Sequence, residues 1–189
     1  SVDGTMTIDD PDRQAWAVLW TLDGATLENR GLATWNVPAN NRLMAVRNGA
    51  QFNNYGTWGL SANAPAQGWM DDDGTSKFNN YGTVEKTGSG YIAVGQFNNH
   101  AAVAVHGGQF VLAGGGLGEG TPESPATYQV DDGGHLIFRG QSVLGVNSLV
   151  SGEGKLSVQG VVTAGGKYAV TGKSYLWGNI DFTGTGQII

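Results

Sequence analysis

Apolar and polar residues alternate along most of this chain in short runs, and Gly, Asn or Asp cuts each run off. Side chains two apart share one face of an extended chain, so this period marks strands. Strands are predicted around Ala25–Leu27, Ala33–Val37, Arg42–Val46, Thr57–Leu60, Tyr91–Val94, Ala101–Val105 and Gln109–Leu112. Later, Leu136–Phe138, Leu156–Val158, Tyr168–Val170 and Ile180–Phe182 each read apolar–x–apolar ahead of a glycine. Their ends step by 20, 12 and 12 residues, and the steps of 12 read as half-coils. Near the start, Trp16, Val18, Trp20 and Leu22 alternate as a strand does, although Asp10–Pro11 also suits a helix start. Residues 61–76, with Pro65, Gly68 and Asp71–Asp72–Asp73–Gly74, read as a loop. Leu117–Thr127, with Pro122 and Pro125, reads as an exposed excursion, and Pro38 with Asn40–Asn41 as a corner.

One segment recurs. Gln51–Phe52–Asn53–Asn54–Tyr55–Gly56–Thr57 returns as Lys77–Phe78–Asn79–Asn80–Tyr81–Gly82–Thr83 and, degraded, as Gln96–Phe97–Asn98–Asn99–His100. Thr26–Leu27–Glu28–Asn29 is an earlier relative. The apolar anchors Leu27, Phe52, Phe78 and Phe97 step by 25, 26 and 19 residues. Such a period built from short strands fits one coil of a solenoid and is too short for a propeller blade. The prediction is therefore all-β: a right-handed parallel β-helix (β-solenoid), single domain. About seven or eight coils would stack at the strand spacing to roughly 35 Å. In that stack Asn29, Asn54, Asn80 and Asn99 lie over one another as an amide ladder, with Phe52, Phe78 and Phe97 stacked in the core. Because Asn tolerates the left-handed region, these residues are expected to turn the chain at a corner.

Residues 1–22 read as an N-terminal cap or first coil, 23–106 as Asn-rich coils and 107–189 as Gly-rich coils continuous with them. Twenty of the 32 glycines fall from Gly107 onward, so turns become tighter and more frequent there. The apolar end Gly186–Ile189 is expected to be covered by more of a longer parent chain or by self-association through the C-terminal coil.

Charged residues make up only 14% of the chain, and the net charge is −6 with no basic run. Nucleic acid is thus not an expected partner. No apolar run reaches transmembrane length, and with no Cys there is no disulfide or thiolate chemistry.

The line Trp20–Thr21–Leu22–Asp23–Gly24–Ala25–Thr26–Leu27–Glu28–Asn29–Arg30–Gly31, with Trp35 and the F-N-N-x-G-T coils after it, resembles repeats of large bacterial surface proteins. These are adhesin-like and autotransporter-passenger β-helices, and the resemblance covers about residues 20–105. It implies a secreted or cell-surface protein that binds or displays, with a polysaccharide or cell-surface ligand as partner. It implies no catalytic residues.

Candidate chemistry is sparse. Exposed indoles beside Asp, Asn and Gln suit sugar rings, which marks Trp35, Trp58, Trp69, Asp71, Asp72 and Asp73 as candidate ligand-binding residues, the alternative being that the indoles fill the core or its end caps. Trp35 and Trp58 fall at nearly matched repeat positions, which suggests a stack. Asp71–Asp72–Asp73–Gly74 resembles a calcium loop, but position 82, where an EF-hand needs Glu, is Gly. The stretch reads first as a solvated acidic turn, a looser calcium site is left open beside it, and no other metal or cofactor is expected. Lys167 stands where a phosphate loop ending at Gly172–Lys173–Ser174 needs Gly, and the three His show no metal spacing. No enzymatic activity is expected. The alternative is a polysaccharide lyase or hydrolase, or its binding module, with carboxylates drawn from Asp71–Asp73 and Glu85.

Overall fold

A computed structural model describes residues 1–8, 17–37, 42–183 and 186–188. Among them are 25 strands and no helix. The first circuits of the chain run β1 (Thr5–Ile8), β2 (Ala17–Asp23), β3 (Thr26–Asn29); β4 (Leu32–Val37), β5 (Arg42–Arg47), β6 (Gln51–Asn54); β7 (Thr57–Ala62), β8 (Gln67–Asp72), β9 (Lys77–Asn80). The middle circuits run β10 (Thr83–Thr87), β11 (Tyr91–Val94), β12 (Phe97–Asn99); β13 (Ala102–Val105), β14 (Gly108–Leu112), β15 (Gly116–Gly118); β16 (Ala126–Val130), β17 (Gly134–Phe138), β18 (Gln141–Leu144). The last are β19 (Ser148–Gly152), β20 (Lys155–Val158), β21 (Val161–Ala164); β22 (Lys167–Val170), β23 (Ser174–Leu176), β24 (Asn179–Phe182); and β25 (Gln187–Ile188).

Each circuit gives one strand to each of three sheets. The first sheet is β1-β4-β7-β10-β13-β16-β19-β22-β25, the second begins at β2 and the third at β3. Pairing is parallel and mostly in register. This is a single-domain β-solenoid of eight full circuits with a ninth begun. The circuit is 27 residues from Thr5 to its partner Leu32 and 18 from Leu149 to Lys167. The steps of 12 are not half-coils. Phe138 pairs with Val158 in the second sheet, whereas Val170 lies in β22 of the first and Phe182 in β24 of the third. Each such step crosses two of three faces.

Two other sequence expectations change. Residues 61–76 are not a loop, because they contain β8. Gly68 sits at an inward position of that strand, where a Cβ would come within 2.8 Å of Val37 Cγ2 and 3.1 Å of the Trp35 ring. The Trp35 indole fills the space, so the apolar residue that would have shown the period is missing. The excursion begins only after β15, at Glu119. The corner at 38–41 and the Asp10–Pro11 start with Trp16 lie outside the described residues.

The core is built in vertical columns. Leu27, Phe52, Phe78 and Phe97 pair in register up the third sheet. The Phe rings stack at 4.8 and 5.1 Å, and Trp58 lies on Phe78 at 4.3 Å. Large residues are matched with small ones, as close packing demands. Trp58 pairs with Ala33, and Trp35 pairs with Leu60 beside Gly68.

Next to the rings runs the amide ladder. Asn29 Nδ2 donates to Asn54 Oδ1 at 2.7 Å, Asn54 to Asn80 at 2.8 Å and Asn80 to Asn99 at 2.9 Å. The same amides donate to the carbonyls of Thr57, Thr83 and Ala102, in the first-sheet strand of the next coil. All four Asn are fully buried. They are not the corner residues. Each ends a strand, and the chain turns one residue later, at Tyr55–Gly56 and Tyr81–Gly82. A Cβ on Gly56 would fall 2.1 Å from the Gly31 carbonyl oxygen, and one on Gly82 equally close to that of Gly56. Close backbone approach between coils selects glycine here. Among the described non-glycine residues only Asn48 takes the left-handed conformation (φ 56°), at a different corner.

The ladder stops at Gly118, the register partner of Asn99. The buried Tyr128 phenol, hydrogen-bonded to the Asn99 side chain, reaches into the space a fifth Asn would fill. Above it the column becomes Leu144 and Ala164.

Lys86 was not singled out by the sequence. It faces inward between Leu60 and Val105 and is fully buried. Its Nζ donates to the carbonyls of Thr87, Gly88 and Gly107 at 2.6, 3.0 and 3.1 Å. The ammonium thus saturates three acceptors at one corner. Burial nonetheless pushes its pKa down from 10.5 to about 8.

Replacing Asn80 by Ala should destabilise the fold by about 2–3 kcal/mol in urea unfolding, since it strands buried donors and acceptors. Asn80→Asp should be worse at neutral pH. A carboxylate there faces Asn99 Oδ1 and the Ala102 carbonyl, so its folded pKa is raised above the unfolded value. Its stability is then present below the unfolded pKa and lost as pH rises, so acidification should rescue it relative to wild type. For Lys86 the folded pKa is depressed. Wild type should therefore gain stability relative to Lys86→Met as pH rises from about 8 to about 10.5, by on the order of 3 kcal/mol. Parallel melts of the two proteins across that window measure it.

Candidate functional site

Of the sequence candidates, Trp35 and Trp58 cannot meet a ligand. Both are fully buried. They also do not stack as matched positions, because Trp58 pairs with Ala33 and Trp35 with Leu60. Both positions face the lumen of their strands, and indoles are drawn there by the large apolar area they bury.

Asp71, Asp72 and Asp73 close β8 and enter its corner. Asp71 is exposed, 4.0 Å from the Arg47 guanidinium. Asp72 is the last residue of β8. Asp73 is turned back into the corner. Its Oδ1 accepts from the Thr75 N–H and hydroxyl and from the Ser76 N–H and hydroxyl, and its Oδ2 from the Asn48 N–H. The Thr75 hydroxyl first, then the Asn48 amide, hold this carboxyl far below the usual range. Asn48 and Asp23 occupy the same corner one and two coils below, joined side chain to side chain. This is a recurring turn anchor whose acceptors the protein itself satisfies. Among the described residues no three His, Asp or Glu converge as metal ligands. Glu85 lies on β10 of the first sheet and Asp71 on β8 of the second, so the two belong to different faces.

Of the three candidate indoles, Trp69 is the one that reaches an outer surface, that of the second sheet. The register there places Trp69, Ala93, Val111, Ile137, Ser157 and Tyr175 in one outward column. The neighbouring column holds Gln67, Tyr91, Gln109, His135 and Lys155. Ala93, Val111 and Ile137 point outward yet are 3% exposed or less. Trp69, Tyr91 and Ala113 close over them as a second, smaller apolar cluster. Trp69 and Tyr91 meet at 5.1 Å between ring centres, and Tyr175 and Trp177 at 5.7 Å. Trp177 is 71% exposed.

Polar groups knit this face together. Arg139 donates to the Tyr91 hydroxyl two coils below and to Gln159 Oε1 one coil above, both at 3.2 Å. Burial raises the Tyr91 pKa, and Arg139 partly offsets it. His135 Nε2 lies 2.7 Å from the Ser157 hydroxyl. Ser157 is fully buried, so this pair orients the imidazole and presents no accessible nucleophile. Burial first, and the Lys155 charge second, lower the His135 pKa. Beside Tyr91 a 130 Å³ groove is lined by Pro65, Gln67, Ser89 and Gln109. The 119–125 excursion shelters a separate recess of 260 Å³ on the first-sheet side, with Pro122, Pro125, Val146 and Lys167 in its walls.

Two further arrays line the third sheet, and in the second His100 takes the place of the repeat Tyr as its position in the repeat implies. Asn79 donates to Asn53 and Asn98 to Asn79, both at 2.8 Å, so an outer ladder mirrors the buried one across the third sheet. At its edge Arg30, Tyr55, Tyr81 and His100 stack at 5.0, 5.0 and 4.8 Å. The doubled Asn of each repeat was the signal for the outer ladder, since adjacent strand residues point to opposite faces.

Among the described residues no helix is long and apolar enough to cross a membrane. Comparison with protein families, with characterised proteins and with solved structures found no match to this chain. The class is defined by the fold alone: a three-sheet parallel β-solenoid whose outer faces carry ordered side-chain arrays.

Replacing Lys155 by Gln removes a positive neighbour of the imidazole. The His135 pKa should rise toward the ordinary value. An NMR pH titration of this ring reads the change directly.

Proposed function

We propose that this chain is a non-catalytic, adhesin-like segment, secreted or displayed at a cell surface, that binds polysaccharide along the outer face of its second sheet. The observation that carries the reading is the row of paired aromatics on that face: Trp69 with Tyr91 at one end and Tyr175 with Trp177 at the other. Flat rings pack against the apolar faces of pyranoses, and neighbouring amides and imidazole serve the hydroxyls. Gln67, Gln109 and His135 stand in the adjacent column. The platform is rigid because both columns are anchored to a hydrogen-bonded sheet, so little ordering cost accompanies binding. A low share of charged residues, no cysteine and the resemblance to bacterial surface repeats support an extracellular setting.

Titration against a panel of polysaccharides, with product release assayed in the same samples, tests this reading. Saturable binding without product is expected. Trp69→Ala and Trp177→Ala should each weaken it about tenfold or more, while Tyr55→Ala, on the third-sheet edge, should leave it unchanged. Product release, or binding indifferent to both Trp substitutions, overturns the proposal.

A further inference from the structure

We infer that the ligand of this face is an acidic polysaccharide carrying a carboxylate on every ring, a linear polyuronate. The inference rests on the polysaccharide reading above and adds the charge of the polymer. The chain as a whole is acidic, with net charge −6. Three of its ten Lys and Arg nonetheless stand toward the upper end of this one face. Arg139 follows β17, Lys155 opens β20, and Lys173 directly precedes β23. Lys155 and Lys173 thus stand on successive coils, and Arg139 on the coil before them, four residues past His135, the register partner of Lys155.

The outward positions of β14, β17, β20 and β23 hold no carboxylate. The nearby acids Asp131, Asp132 and Glu153 sit in the turns ahead of the strands, and Asp131 is engaged by His106 at 2.7 Å. The basic groups therefore face outward unneutralised by acids of their own sheet. Lys155 is paired in register with His135. Lys173 passes its carbonyl to the Leu156 amide, which places it next in the same column.

Spacing selects the polymer. Coils repeat at about 4.8 Å, close to the length of one pyranose ring in an extended chain. The step from Lys155 to Lys173 within one column thus matches one anion per ring, rather than a charge on every second ring, while Arg139 stands across the apolar strip from them. The planar Arg139 guanidinium keeps donors in a fork suited to carboxylate. It is already oriented by Tyr91 and Gln159. Aromatic pairs above and below the apolar strip would take the ring faces while the cations take the carboxylates.

The test uses alginate, its propylene glycol ester, dextran sulfate and a neutral glucan, titrated against the whole chain at low and physiological salt. Alginate is expected to bind best, to weaken with salt and to lose about tenfold on esterification. The double substitution Lys155→Gln with Lys173→Gln should cost a similar factor for alginate and nothing for the ester. Arg139→Gln should do likewise. Equal binding of alginate and its ester sinks the acidic-ligand inference while leaving the polysaccharide reading intact. Tighter binding of dextran sulfate overturns the choice of carboxylate. Alginate binding untouched by all three substitutions overturns the location. No binding of any polymer removes both readings. Circular dichroism of each variant confirms that the fold is retained.

Discussion

Hydrogen bonding between each coil and the next constrains everything else in this molecule. A parallel ladder fixes the register, and a fixed register sets every side chain directly above its counterpart one circuit earlier. Whatever residue a position holds must therefore tolerate its own stack. Phenylalanines answer by stacking rings, and asparagines by passing an amide hydrogen bond up the column. Glycines answer by leaving room for the carbonyl beneath. The buried Asn ladder is the costliest of these solutions to interrupt, because its amides also saturate the backbone of the neighbouring sheet.

The stack changes character partway up. Below Gly118 the third sheet carries amides and stacked rings. Above it the same columns carry Ser142, Leu144, Val162 and Ala164. Tyr128 makes the junction. Its hydroxyl meets the last amide of the ladder while its ring packs edge-on against Phe138. One side chain thus satisfies the polar column and begins the apolar one. Lys86 plays a related part at another corner, with a charged group standing in for a missing set of backbone donors.

The outer face of the second sheet follows from the same constraint. Stacked small apolar residues leave a shallow strip, and the longer side chains on either side lean over it. Side chains on this face are therefore held to the spacing of the coils.

The repeat of Phe-Asn-Asn, the alternation of apolar residues and the glycine after each strand were enough to determine the solenoid, its third-sheet register and the columns of Phe and Asn. Those signals are local in the chain or repeat at a constant step, so they need no knowledge of neighbours. Other features were decided only in three dimensions. Strand β8 was hidden because Gly68 yields its place to the indole of Trp35, a contact between different sheets. The sequence left Trp35, Trp58 and Trp69 open between core and surface, and strand parity divided them, with Trp35 and Trp58 in the core and Trp69 sent out by β8. Arg139 and Tyr91, 48 residues apart, meet only because two coils of stacking bring them together. Alternation tells which residues share a face. Which face looks inward, and which distant side chains then share it, depends on how the sheets close around the lumen.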